Sequence, residues 1–372
     1  MDFTVTPEQD DAAALARRML ADRCTQTRLR EVEATDSRFD ADLWKELGDA
    51  GLLGLHLPED AGGSGLGLLE LCSVAVETGR AVAPLPLPSH AVAAAAIVRA
   101  GDRSQVEQWV EPAARGKNVL TVALSEDHAD IPDRPTTRAT RTVGGWTVTG
   151  IKTVVPSGTV ADLFLVPADS PEGGVVLLVR GDDPGVRVEA QHINDGDVVG
   201  RLELDGVELG GDRLLGAVGD GPESTRWIAT RLTTVVCAEQ LGVVDGALDL
   251  TAEYARTREQ FGRPIGSFQA VSQRLADAYI DVHGLRLTMW QAAWRLSEGL
   301  PAEVEVATAK LWAADVGHKL AHTTVHVHGG VGIDLDAPAH RYFTAAKRHE
   351  LMLGGTTRQA LAVGRALAGE PA

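Results

Sequence analysis

The sequence is short of positive charge. Lys and Arg number 35 against 52 Asp and Glu, so the formal charge is 35 − 52 = −17. That balance argues against a nucleic-acid partner, because phosphate binding rests on basic surface. It also argues against attachment to anionic lipid. Cysteine is scarce as well: Cys24, Cys72 and Cys237 are odd in number and far apart. They spell neither a disulfide framework nor a zinc spacing, and predict small buried thiols in a reduced, cytoplasmic protein. Long apolar runs are missing. The greasiest stretch, Ala91 to Val98, is mostly alanine and far short of the about 18 residues that span a bilayer. The start, Met1 to Glu8, has no basic segment followed by an apolar one, which predicts no secretory signal. Neither a GxSxG elbow nor a Walker loop occurs, so hydrolase and nucleotidase readings have no support.

What remains is an ordinary globular composition, 44% apolar over 372 residues. That length suggests two to three domains and a core that needs no staples. Three textures follow one another, at residues 1–116, 117–220 and 221–372. The first is helical. Thr6 and Pro7 are a helix start, Leu43 to Leu52 carry helical spacing, Leu68 to Val76 resume it with Gly79 as a stop, and helices over Ala91–Ala100 and Ser104–Ala114 end at glycines. The second has short strand-like runs at Val119–Leu124, Gly145–Gly150, Phe164–Val166, Val175–Val179, Val186–Glu189 and Arg201–Val207. The third has long amphipathic helices over Thr225–Arg256, Phe268–Ser297, Pro301–His326 and Pro338–Leu351. The predicted class is α+β, mainly α: an N-terminal helical domain, a middle β domain and a C-terminal helical bundle.

Gly62 to Gly67 is glycine-rich, but no strand precedes it within a βαβ unit, so it reads as a turn and not a dinucleotide loop. His318, His322 and His326 lie four apart on one helix. No carboxylate sits among them, so a polar helix face is favoured over a metal site. The sharpest segment runs from Glu253 through Arg258, Phe261, Gly262, Arg263 and Pro264 to Gln269. A helix ends in a basic, aromatic turn, and the next helix opens with Ser267 as its cap. Arg258 offers a planar fork that can grip a pyrophosphate. Phe261 supplies an aromatic face, and Gln269 can donate and accept.

This segment resembles the signature of flavin-dependent acyl-CoA dehydrogenases. A second signature, His326-Val327-His328-Gly329-Gly330-Val331-Gly332, resembles theirs too, as does the helix–β–helix order over essentially the whole chain. The resemblance implies a C-terminal four-helix bundle. It implies FAD lying at a subunit interface, its flavin ring on one subunit's β domain and its pyrophosphate and adenosine on the neighbour's bundle. The residues matching the bundle half are Arg258, Phe261, Gln269, His326, Gly329 and Gly330. His326 stands where the family usually has Gln.

The flavin half departs from the family. Its Thr-Glu-Pro, Gly-Ser-Asp run reads Leu124-Ser125-Glu126-Asp127-His128-Ala129-Asp130-Ile131-Pro132 here. Its Trp-Ile-Thr after Gly-x-Lys reads Val154-Val155-Pro156, and Pro156 has no N–H to give. The family's catalytic Glu, which takes the substrate α-proton, falls at Gly354, or in some members at Leu232. Neither side chain does general-base work. Glu350 is the nearest carboxylate, and Glu239 reads as structural. The resemblance therefore implies the non-base subunit of an α₂β₂ heterotetramer, as in the actinobacterial enzymes of sterol side-chain β-oxidation. A related subunit would carry the base and the acyl-CoA, and electrons would pass to an electron-transferring flavoprotein. The alternatives are a homotetramer with Glu350 as a displaced base, and a flavin-free scaffold.

Overall fold

The computed structural model describes residues 4–369; the reading of Met1 to Phe3 falls outside them. The N-terminal helices are α1 (Pro7–Arg23), α2 (Gln26–Glu33), α3 (Ala41–Asp49), α4 (Leu68–Arg80), α5 (Leu87–Ala100), α6 (Arg103–Gln105) and α7 (Glu111–Ala114). Thr6 caps α1 in a full capping box with Gln9, satisfying two end donors reciprocally. The helix expected over Ser104–Ala114 is widened by a π turn at Val106–Val110. The strands are β1 (Leu120–Val122), β2 (Arg138–Arg141), β3 (Gly145–Val155), β4 (Leu163–Ala168), β5 (Val175–Arg180), β6 (Val186–His192), β7 (Val198–Gly210) and β8 (Leu214–Leu215). Then come α8 (Gly221–Thr257), a small hairpin of β9 (Glu259–Gln260) and β10 (Arg263–Pro264), and α9 (Gln269–Ser297), α10 (Glu303–His328), α11 (Ala339–Leu351) and α12 (Thr356–Gly369).

These elements form two compact units. One comprises the chain up to Leu29, Leu71–Ala83, and the chain from Thr233 onward; the other comprises Arg30–Glu70 and Pro84–Leu232. In the second unit two four-stranded sheets, ordered β1-β4-β5-β8 and β2-β3-β7-β6, enclose one core. Phe164, Val166, Leu177 and Val179 from the first sheet join Trp146, Val148, Leu202, Leu204 and Val207 from the other. β2 was not legible in the sequence: of Arg138, Ala139, Thr140 and Arg141 only Ala139 is buried, so it carries no apolar alternation.

In the first unit, α4 ends at Arg80, one residue past the stop expected at Gly79. A Cβ at Gly79 would lie 1.9 Å from the Glu239 carbonyl oxygen, and one at Gly242 would lie 1.8 Å from that of Val76. The two glycines let the backbones of α4 and α8 touch. An ion network spans the same helices. Arg80 reaches Asp245 at 2.9 Å and Asp249 at 2.8 Å, and Arg17 holds Glu77 at 2.8 Å.

Two histidines lie within the second unit, His90 buried and His56 half-buried. His56 gives its Nε2–H to the Ala91 carbonyl at 3.0 Å, and His90 Nδ1 accepts from the Leu120 N–H at 3.2 Å. Burial pulls His56 down to about 4. Burial, helped by the charge of His56, pulls His90 down to about 3. Both stay neutral in the fold while the unfolded chain takes protons below its ordinary 6.5. Their contribution is thus complete above that value and is lost as pH falls towards 4 and then 3. The slope is at most about 1.4 kcal/mol per pH unit for each histidine. We predict a lower urea midpoint at pH 5 than at pH 7.5, and a flatter dependence in His56→Leu. Equal midpoints at the two pH values would refute it.

Candidate functional site

The end of α8 builds the first candidate region. Beyond Thr257 the chain turns through β9 and β10, with Phe261 at φ 53° and Gly262 at φ 74°. Two successive positive φ values are the mark of a tight hairpin turn. A phenylalanine there is conformationally costly, yet it is 92% exposed. The Ile265 N–H donates to the Arg258 carbonyl at 2.8 Å and closes the loop. Phe268 braces it from beneath, edge-on to Phe261 at 6.0 Å and under the Arg263 guanidinium at 4.2 Å. Ser267 does not cap α9. Its hydroxyl donates to the Pro264 carbonyl at 2.7 Å, because a 3₁₀ turn at Ile265–Ser267 intervenes and the helix begins at Gln269.

α9 and α10 run antiparallel across the short turn after Ser297, so Gln269 and the segment His326–Gly330 sit at the same end of the bundle. Tyr254 of α8 stacks on His328 of α10 at 4.3 Å, which joins Arg258, one turn beyond Tyr254, to Gly329. The structure thus gathers Arg258, Phe261, Gln269, His326, Gly329 and Gly330 at one end, all exposed. No carboxylate among the described residues pairs with Arg258. A Cβ at Gly329 or Gly330 would meet nothing within 4 Å. An exposed fork, an exposed ring and a bare glycine backbone fit an extended anionic group with aromatic ends.

The second region lies in the β sheets and behaves differently. Glu126 is buried and its carboxylate accepts from the Thr136 N–H and hydroxyl (2.6 and 2.7 Å), from those of Thr137 (3.0 and 2.8 Å), and from Lys152 Nζ (2.8 Å). Burial alone would raise its pKa, but the bonds from Lys152 and Thr136 outweigh that and hold it at about 2. Burial pushes the fully enclosed Lys152 down. Along the adjoining strand the Thr153 N–H donates to the Ser125 carbonyl at 2.9 Å. Val154, at φ 50°, gives its N–H to Gln191 Oε1 at 3.0 Å. Pro156 has no N–H, and its carbonyl accepts from the Thr121 hydroxyl at 2.7 Å. The Thr153 and Val154 N–H groups and the Pro156 carbonyl are thus spent within the chain.

The carboxylate positions complete the picture. Leu232 is 1% exposed. Gly354 has φ 91°, and Gln359 Nε2 fixes its turn by donating to the Leu353 and Gly354 carbonyls at 3.1 and 3.2 Å. Glu350 lies 3.1 Å from His318 Nδ1 and is ion-paired with Lys347. Glu239 is buried and meets His349 Nε2 at 2.8 Å, while His349 Nδ1 faces the Ala345 carbonyl at 2.9 Å. Among the described residues no group of three or more His, Cys, Asp or Glu is arranged to hold a metal ion, and no helix is long and apolar enough to cross a membrane. The sequence reading passed over Tyr254 and His328. Their pairing joins residues 74 positions apart, and only the glycines after His328 hinted at it.

Two family models match the chain: the acyl-CoA dehydrogenase N-terminal domain over residues 6–117 and the C-terminal domain over residues 219–368. The chain belongs to the acyl-CoA dehydrogenase family, whose members are oxidoreductases. It is 47% identical to acyl-CoA dehydrogenase FadE27 of Mycobacterium tuberculosis, covering 100% of both chains. Its fold matches a chain of the ChsE4–ChsE5 complex from the same organism with TM-score 0.95, at 47% identity over 100% of each. It also matches a chain of the Tcur3481–Tcur3483 steroid ACAD with TM-score 0.91, at 42% identity over 97% of this chain and 98% of that one.

The family's base position makes a direct prediction. A Cβ at Gly354 would lie 2.4 Å from Arg358 Cδ, and its positive φ costs a side chain about 1 kcal/mol. Gly354→Glu should lower the melting temperature by about one to two degrees and leave the isolated chain without acyl-CoA turnover. An unchanged melting temperature with new turnover would contradict this.

Proposed function

We propose that this chain is the non-base subunit of a heteromeric acyl-CoA dehydrogenase and completes an FAD site on a related, base-bearing partner. The reaction is α,β-dehydrogenation of an acyl-CoA thioester, with a sterol side chain as the acyl group. The assembly is an α₂β₂ heterotetramer, the acyl-CoA lies at the partner's site, and an electron-transferring flavoprotein takes the electrons in the cytoplasm. Domains at 1–116, 117–220 and 221–372 belong to the same proposal.

One contrast carries the reading. The bundle end leaves Arg258, Phe261, Gln269 and the Gly329–Gly330 backbone open, whereas the β region spends the Thr153 and Val154 N–H groups on Ser125 and Gln191. FAD supplies a hydride acceptor for the substrate's β-hydrogen when bound. Arg258 would hold the pyrophosphate, Phe261 would cover an aromatic ring, and Gln269 and His326 would bond the polar chain between. Leu232 and Gly354 offer no carboxylate for the α-proton, so that task falls to the partner. Glu350 is a poor substitute, because Lys347 and His318 already occupy it. The similarity to chains of a ChsE4–ChsE5 complex and of the paired Tcur3481–Tcur3483 steroid ACAD supports both the heteromer and the sterol-derived substrate.

The test is flavin content with native mass, for the chain expressed alone and together with its partner subunit. The expected result is no flavin alone and about two FAD per heterotetramer. About one FAD per chain in a homotetramer would overturn the proposal. Within the heterotetramer, Arg258→Ala should weaken FAD retention about ten- to a hundred-fold, since hydrogen bonds to charged groups contribute about 1.5–3 kcal/mol each. Unchanged retention would remove Arg258 from the site.

A further inference from the structure

His328 is 7% exposed and sits immediately before the open Gly329–Gly330 backbone. Its Nδ1 lies 2.8 Å from the Thr324 carbonyl oxygen. A carbonyl only accepts, so Nδ1 carries the hydrogen and Nε2 is left with a bare lone pair. Burial lowers the pKa of the ring, which keeps that lone pair at neutral pH. Tyr254 holds the ring plane, stacked at 4.3 Å and 24°. Nothing among the described residues bonds Nε2. It is also absent from the fully enclosed polar atoms without a partner, which include Trp44 Nε1 and His90 Nε2, so it reaches solvent. A side chain that is mostly buried, locked in one tautomer and clamped by a ring thus offers one acceptor at the bundle end that carries Arg258.

We propose that His328 Nε2 is a positioning acceptor for the adenosine half of the cofactor, taking a hydrogen bond from the ribose 2′-hydroxyl or from the adenine amino group. This rests on the reading that the bundle end holds FAD. It adds a clamped acceptor to a site that also offers a cation, a ring, Gln269, His326 and bare backbone. The neighbouring His326 is exposed and lies two residues away, about 200° around the helix, so it does not share the clamp that Tyr254 and Thr324 place on His328.

The test uses the assembled heteromer. FAD affinity is read by flavin fluorescence, and ADP, 2′-deoxy-ADP and inosine diphosphate compete for the adenosine half. His328→Phe keeps the stack on Tyr254 and removes the acceptor. It should weaken FAD and ADP about three- to ten-fold, the range of one neutral hydrogen bond. In the unmodified complex, 2′-deoxy-ADP should bind more weakly than ADP if the donor is the hydroxyl, and inosine diphosphate if it is the amino group. His328→Phe should erase that difference. Unchanged affinity in His328→Phe, with a clear loss in Arg258→Ala, would overturn the role of His328 alone. No loss in either variant would overturn the placing of FAD at this end. Should His328→Phe fail to assemble, equal binding of all three competitors by the unmodified complex would overturn the proposal.

Discussion

The helical bundle depends on one close approach, the backbone contact between α4 and α8 at Gly79 and Gly242. Any side chain at either position would drive the helices apart, because the facing atoms are backbone carbonyls that cannot swing away. The residues just before Gly242 use the proximity. Glu239 reaches His349 of α11, and Gln240 Nε2 donates to the carbonyls of Ala313 and Ala346 at 3.2 and 3.1 Å. Lys310, fully enclosed, donates to the His349 carbonyl at 2.8 Å. A few adjacent residues of α8 thereby fix α4, α10 and α11, and so fix where α8 ends and where α10 delivers its glycines. Buried polar groups of this kind are costly unless every partner is in place, which ties the geometry of the site end to the integrity of the core.

The two candidate halves show opposite uses of polar groups. In the β sheets, Glu126 gathers five donors. That satisfies a buried charge, orders the loop before β2 and engages both carboxylate oxygens within the chain. At the bundle end the chain tolerates an exposed phenylalanine at positive φ, an arginine without a carboxylate and a bare acceptor on His328. The positive φ of Phe261 costs the chain stability by itself, while the arginine and the acceptor are open to solvent and ready for a partner. They are intelligible where a bound group and a second subunit cover them.

Much of this was legible in the sequence. The class, the order of helices and strands, the Thr6 start and the six exposed residues of the bundle end were read from patterning, capping chemistry and two signatures. The failures have physical causes. α4 does end within a residue of Gly79, but what requires a glycine there lies in α8, 160 residues away. β2 carries arginine and threonine where a strand signal needs alternation. Ser267 has the right chemistry for a cap, but an intervening 3₁₀ turn moves the helix start past it.

The sequence by itself determined which chemistry is present: a planar fork, a ring and glycines at fixed spacing, and no carboxylate at Leu232 or Gly354. Those are properties of residue types and short-range pattern. Only the tertiary structure decided which polar groups remain available. Gln191 consumes the Val154 N–H, Lys347 and His318 occupy Glu350, Thr324 sets the tautomer of His328, and Tyr254 holds its plane. Whether a donor or acceptor is spent or open depends on what reaches it in space, and most of those partners lie far along the chain.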